Sequence, residues 1–412
     1  MRSARWLGAA ALLGVALAAQ AAAPEFGGQV RPIVTGQQAA NKGPLAQAVA
    51  IDPTSAALPA SGVALETELR SSGHGLTGVG TLRIERAEGQ ATQTRGWVNE
   101  LYAAGGDAGW QFSAGKRIVA WDVGYAFRPN DVVQREARRL LIDTTPEGRP
   151  LAMAEYFDAS DAASLVWVNP TQPRSRRGGE EPALALRGYR RLGALDAHAF
   201  ARVGGHTGPS VGAAGAWVAS DELELHASLR WLHDADTLAL APGTDGLART
   251  DPWVAAATGP AAQALVGGTW TNAAQVGLLA EAWWDGTAPS DAQWDAWQAR
   301  NRQLAGLVGG PAPAAAVAGN LAWQARAFGA AGSLRRANLF GRASWTLDRW
   351  TPALDVLFTP ADRGRVLTAS LGWQGDRVRA DVGLRFYGGP DSALTAQLPT
   401  RRVGYVAVTW SF

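Results

Sequence analysis

The chain has 412 residues, a formal net charge of +2 and a mean hydropathy of −0.08. It contains no cysteine, which excludes disulfides, thiol catalysis and zinc–thiolate sites, and its five histidines are scattered without metal-ligand spacing, so no cofactor is expected. The near-balanced total implies no polyanion-coating surface and no nucleic-acid partner, yet the basic side is lopsided: 38 Lys+Arg less Lys42 and Lys116 leaves 36 arginines.

The chain opens with "MRSARWLGAAALLGVALAAQAAAPEF". Arg2 and Arg5 form a charged start, Trp6 to Ala19 an apolar run, and Ala19-Gln20-Ala21 a small-x-small cleavage site, so residues 1–21 read as a signal peptide for export. That run is too short for a spanning helix. Residues 22–58, rich in Ala, Gln, Gly and Pro, are expected to form a flexible periplasmic lead or a partial plug, with the main body at 59–412. The longest uncharged run further on, "QLAGLVGGPAPAAAVAGNLAWQA", carries Gly309, Gly310, Pro311 and Pro313, which would break a lipid-exposed helix.

Two-residue alternation dominates the rest. In "ELELHASLRW", Leu223, Leu225, Ala227, Leu229 and Trp231 face one side, and Glu222, Glu224, His226, Ser228 and Arg230 the other. "ALDAHAFARV", "RANLFGRASW" and "RVRADVGLRFY" split in the same way. A soluble sandwich also alternates, but its apolar face must fill a core with large residues, whereas many apolar positions here are alanine. Trp97, Trp110, Trp217, Trp231, Trp345, Trp373, Tyr387 and Trp410 lie near strand ends, as an interfacial girdle requires. The expected fold is all-β: an antiparallel transmembrane β-barrel of about 16–18 strands with short helical insertions. Counting strands from about Ser61 places two of the longest insertions (those near 118–150, 234–260, 286–318 and 388–400 are long) on the rim that should carry short turns. Either a strand is missing from that count or those segments fold into the lumen.

The segment 118–150 stands apart from its surroundings. Asp131 followed by Gln134 resembles a capping box, and Val133, Ala137, Leu140 and Leu141 recur at helical spacing, which predicts a short helix. Folded inward, it would narrow a water-filled lumen and present Arg128, Arg135, Arg138 and Arg139, whose planar forks suit carboxylate, sulfate or phosphate; folded outward, it would be a loop with a solvated basic face. Arg202, Arg230, Arg336, Arg342, Arg377, Arg379 and Arg385 are expected on inward faces, where they either tilt the lumen toward anions or pair with acids as wall-stiffening ladders.

"PSDAQWDAWQARNRQLAGLVGG" predicts a second helix, started by Ser290 with Gln293 and closed at Gly309-Gly310; Trp294 and Trp297 share one face and are expected to pin the loop to the rim rather than stack on a sugar. His226 and Ser228 have the spacing of a lipid hydrolase pair. Their alternation points them at the lumen, which favours a structural role.

The stretch "GKRIVAWDVGYAFRPND", Gly115 to Asp131, resembles a signature of large outer-membrane porin-like β-barrels, including the alginate-export and uncharacterised porin groups. The terminal "VTWSF" is similar to the assembly signal of such barrels, with Val406, Val408, Trp410 and Phe412 at alternate positions. This resemblance implies an outer-membrane location, contact with membrane lipid and lipopolysaccharide, recognition by the barrel-assembly machinery, and a channel for a small anionic or polar solute. Export of an acidic polysaccharide and a non-conducting structural or adhesive barrel are the alternatives.

Overall fold

A computed structural model describes residues 24–135, 138–243 and 246–412; the expected signal peptide lies outside the described residues. The first elements are β1 (Glu25–Ala39), α1 (Pro44–Ile51), β2 (Gly62–Gly73), β3 (Leu76–Ala87), β4 (Gln93–Gly105) and β5 (Trp110–Arg117). After the 118–148 segment come β6 (Arg149–Phe157), β7 (Asp161–Val168), β8 (Ala183–Leu192), β9 (Leu195–Gly204), β10 (Gly208–Val218) and β11 (Leu223–Leu232). A small hairpin of β12 (Asp236–Leu240) and β13 (Trp253–Ala257) precedes β14 (Ala261–Thr271) and β15 (Val276–Asp285). Helices α2 (Asp291–Ala305) and α3 (Ala314–Gln324) lead to β16 (Ala337–Trp345), β17 (Trp350–Thr359), β18 (Gly364–Gln374), β19 (Val378–Gly388) and β20 (Thr400–Ser411).

All strands except β12 and β13 join one 18-stranded antiparallel sheet, and β1 pairs with both β2 and β20, so the sheet closes and has no free edge. The stretch expected over 22–58 as a loose lead or partial plug is, over its described residues, neither: 25–39 are a wall strand and 44–51 a helix at the rim. Glycines and Pro32 dilute the alternation of β1, which hid it. The β20 ladder passes over Arg31 and Pro32, where proline has no N–H to donate. Gly28 and Phe412 exchange two backbone hydrogen bonds of 3.0 Å, and a Cβ at Gly28 would meet the Phe412 ring at 2.9 Å.

Counting β1 removes the parity conflict. One rim, which also carries both ends of the barrel, has only the turns 74–75, 106–109, 158–160, 193–194, 219–222, 272–275, 346–349 and 375–377. The other rim carries every long connection: 40–61, 118–148, 169–182, 233–260, 286–336 and 389–399. The third of the large insertions is longer than expected because α3 and a following 3₁₀ turn at Ala325–Gly329 extend it.

Alternation sorts the wall into two faces. On β11, Leu225, Leu229 and Trp231 are exposed while His226, Ser228 and Arg230 are buried; on β20, Val406, Val408 and Trp410 are exposed while Ala407 and Thr409 are buried. Exposed tryptophans form two belts. Trp110, Trp217, Trp345, Trp350 and Trp410 lie toward the short-turn rim, and Trp167, Trp231 and Trp284 toward the other. Tyr387, expected in a belt, lines the interior instead, since it shares the inward register of Arg385.

The long-loop rim is capped by the helices. Ser290 and Gln293 complete the capping box of α2. Trp294 and Trp297 are 1% and 4% exposed, and their indole N–H groups donate to the Leu334 carbonyl at 2.7 Å and the Gln324 carbonyl at 3.0 Å, so both rings hold the cap together. Helix α1 packs on α3 through Ala48, Val317 and Leu321.

Candidate pore and constriction

The 118–148 segment turns inward from the long-loop rim, crosses the lumen and returns. Its outgoing limb brings Val119, Trp121, Val123, Val132 and Val133 against inward-facing Leu151, Met153, Val166, Val168, Ala183, Ala185 and Phe200 of β6–β9. Full burial of each valine, leucine, methionine or phenylalanine among them contributes about 1.5–3 kcal/mol, so this half of the lumen is a packed apolar core.

Polar clips then fix the segment to the far wall. Asp122 accepts hydrogen bonds from Asn130 N at 2.6 Å, Val123 N at 2.9 Å and the Ser228 hydroxyl at 2.8 Å. Burial pushes the Asp122 carboxyl up from its ordinary value, and these three donors oppose the shift. Asn130 Nδ2 donates to Ser228 Oγ at 2.8 Å and to the Leu229 carbonyl at 3.1 Å. Glu281, on β15, accepts from the backbone N–H groups of Tyr125 and Ala126 at 2.6 and 2.7 Å, and its carboxylate lies 3.0 Å from His226 Nε2. His226 and Ser228 thus serve as docking points for the segment. The returning limb is tied to the near wall: Arg31 donates to the Asp143 carbonyl at 2.5 Å, and Asn99 Nδ2 donates to the Thr145 and Pro146 carbonyls at 2.9 and 3.1 Å.

The helix expected from Asp131 does not form: 131–135 and 138–142 are irregular, and Ala137 lies outside the described residues. Asp131 is turned back onto the Trp121 and Asp122 N–H groups and pairs with Arg128 at 3.3 Å, so it does not cap Gln134. Gln134 instead donates to the Glu147 carbonyl at 2.9 Å. Arg139 has φ 59°, a left-handed conformation incompatible with a helix interior.

Between the returning limb and the wall of β1 and β16–β20 lie two cavities, of about 580 Å³ and about 200 Å³. They share Arg138, Arg139, Phe340, Asp355 and Thr368. The larger reaches Thr351, Gly372 and Thr409 near the short-turn rim, and the smaller reaches Leu334, Thr395 and Leu398 at the long-loop rim. They lie end to end along the barrel, and Arg138 and Arg139 line both; the polar lining they form is called the path.

Among the described residues the charged lining is Arg31, Arg138, Arg139, Arg342, Arg379 and Arg385 with Asp143, Asp355 and Asp381. Arg342 pairs with Asp355 at 3.0 Å and Arg379 with Asp381 at 2.8 Å, whereas Arg385 donates to the Thr368 hydroxyl at 2.8 Å. The Arg139 guanidinium lies 5.0 Å over the Trp283 ring. Burial, and then the like charge of Arg385, lower it to about 10, so it remains a cation at neutral pH.

The other arginines singled out in the sequence lie elsewhere. Arg128 donates to the Asp122 carbonyl at 2.5 Å and stiffens the segment itself. Arg135, Arg202 and Arg230 line a separate pocket on the opposite side of the segment. Arg336 reaches the Ala288 carbonyl at the long-loop rim, and Arg377 sits in the 375–377 turn, beyond the wall on which it was expected. Of the residues that position the segment, Asn99 and Glu281 look in the sequence like ordinary inward-facing polar wall residues, and nothing local to Asn130, on the segment itself, shows that its amide reaches β10 and β11. Arg31 was missed together with β1.

No protein-family model and no curated protein matches this sequence. Among solved structures, the chain is similar to OccAB1 of Acinetobacter baumannii, with a TM-score of 0.54 at 9% identity over 94% of this chain and 96% of that one. The fold is a porin-like β-barrel. A mutant of the Rh. blastica porin is also similar, with a TM-score of 0.44 at 11% identity over 95% of this chain and all of that one. The porin-like barrel anticipated from Gly115 to Asp131 and from the terminal strand is thus the architecture found, and the inward-folded segment divides its lumen into a packed half and a polar half.

Proposed function

We propose that the protein is an outer-membrane channel for passive diffusion of small polar solutes, with a preference for anions. The observation that carries the reading is the pair of cavities meeting at Arg138 and Arg139, with Arg342, Arg379 and Arg385 along the facing wall. A surplus of fixed positive charge in a narrow aqueous path lowers the barrier for anions more than for cations. The cavity sizes suit a small solute better than a polysaccharide chain. In this reading the signal sequence exports the chain, and Val406, Val408, Trp410 and Phe412 are the handle for the assembly machinery. Lipid and lipopolysaccharide then solvate the outer apolar face, with the long-loop rim extracellular.

Planar-bilayer recording with the purified protein tests this. The expected result is steady conductance with a reversal potential on the anion side. R138A/R139A should raise conductance and weaken that preference. Absence of conductance would leave a structural barrel, and a cation-side reversal potential would remove the anion preference.

A further inference from the structure

The pocket on the other side of the inward segment opens at the long-loop rim and has a volume of about 270 Å³. It is separated from the pore path by the segment itself, whose 131–135 stretch forms one of its walls while 138–145 lines the path. On one side the pocket is bounded by the apolar core in which Val132 packs with Val166, Val168 and Phe200.

Its charges are unevenly matched. Each lining carboxylate has partners of its own: Asp131 has Arg128, Glu181 has Arg202 at 2.5 Å, Asp236 has Arg177 and the Gly178 N–H, and Asp234 accepts from the Ala235 and Gly259 N–H groups. Arg135 and Arg149 also line the pocket, and neither makes an ion pair or a side-chain hydrogen bond among the described residues. Glu147, the acid nearest Arg149 in the chain, is held by Lys116 at 2.5 Å and Arg95 at 3.3 Å. Arg149 lies over a bare backbone, because a Cβ at Gly179 would fall 2.1 Å from its guanidinium. Arg230, 6% exposed, uses Nη1 on the Pro129 carbonyl at 2.8 Å and Nη2 on Ser210 at 2.9 Å, leaving its Nε buried without a partner.

Two guanidinium forks without a side-chain partner among the described residues, Arg135 exposed and Arg149 half-buried, line with the buried and partly satisfied Arg230 one recess open at the long-loop rim, and together form a receptor for an anion with several acceptor oxygens. We propose that this recess is a binding site for a small free oxyanion, phosphate or a short carboxylate, entering from the long-loop side and distinct from the pore. Arg135 and Arg149 grip the oxygens, and Arg230 supplies the charge at the floor. The proposal does not depend on the selectivity of the pore.

Inorganic phosphate is the probe. Calorimetric titration of the detergent-solubilised full-length protein should detect a saturable phosphate site that R135Q/R149Q weakens at least tenfold and that R138A/R139A leaves in place. The anion preference of the pore should show the reverse dependence on the two double variants, so failure of one reading is distinguishable from failure of the other. Equal phosphate binding by wild type and R135Q/R149Q, or no binding by wild type, overturns the proposal. Should R135Q/R149Q fail to assemble, phenylglyoxal labelling of the wild type read by mass spectrometry decides the matter. Phosphate should slow modification of Arg135 and Arg149 but not of exposed Arg190; no protection at either position refutes the site.

Discussion

The clip between Glu281 and the inward segment gives a sharp test of what holds the pore half closed. Glu281 is 3% exposed and accepts two backbone N–H groups, from Tyr125 and Ala126, at 2.6 and 2.7 Å, besides lying 3.0 Å from His226. Glu281→Ala leaves those two N–H groups facing a void in the docked state, where each unmade hydrogen bond costs about 1–3 kcal/mol. The imidazole loses its carboxylate as well. A loss of about 3–6 kcal/mol shifts the docked-to-undocked ratio of the segment by about two to four powers of ten. The barrel wall should survive, because β15 is held on both sides by backbone ladders to β14 and β16 and the side-chain clip belongs to neither. In planar bilayers the expected signature is frequent transitions to a larger conductance, with weaker anion preference as Arg138 and Arg139 leave the path. The heat-dependent gel mobility typical of a closed barrel should be retained. Wild-type conductance and noise from an assembled E281A barrel would refute the reasoning, because the segment would then be held without this clip.

Three further outcomes are expected. Gly212→Ala places a Cβ 1.9 Å from Asn130 Oδ1 and 2.7 Å from the Leu229 carbonyl, so it should dislodge the same segment sterically and raise conductance; an unaltered trace would mean that Asn130 is not a docking point. Trp294→Ala empties a site at 1% exposure and removes the bond to the Leu334 carbonyl, a loss of about 3–5 kcal/mol that should appear as protease cleavage within 286–336 while barrel mobility on gels is unchanged. A chain lacking 25–39 loses the strand that joins β2 to β20 and should not reach a heat-modifiable, closed form; assembly of that variant would favour a plug at this stretch.

The outer face was legible because lipid imposes one rule on every strand: alternate residues must be apolar. Leu225, Leu229 and Trp231 on β11, and Val406, Val408 and Trp410 on β20, obey it in sequence and in space. β1 was not legible, since Gly27, Gly28, Pro32 and Gly36 supply backbone without side-chain pattern, and its strand character is imposed by β2 and β20 from either side. The helix at Asp131 was predicted from local chemistry that tertiary contacts override: the carboxylate that would have capped it is taken by Trp121, Asp122 and Arg128.

The division of the lumen could have been read from a second rule. A strand covered on both faces loses its alternation and reads as a continuous apolar run. "SLVWV" at the end of β7 is such a run, with Val166 and Val168 buried inward and Leu165 and Trp167 exposed to the outside. Leu151, Met153, Ala183, Ala185 and Phe200 continue the inward apolar surface across β6, β8 and β9. Water cannot be the neighbour of so much inward hydrocarbon, so something from the same chain must lie on it, and the only long insertion entering between these strands and β5 is 118–148. On the opposite arc the inward positions are Arg342, Asp355, Thr368, Ser370, Arg379, Asp381 and Arg385, which need water or an ion. Where alternation fails marks the floor on which the segment rests, and where it persists with charge marks the arc that the two cavities face.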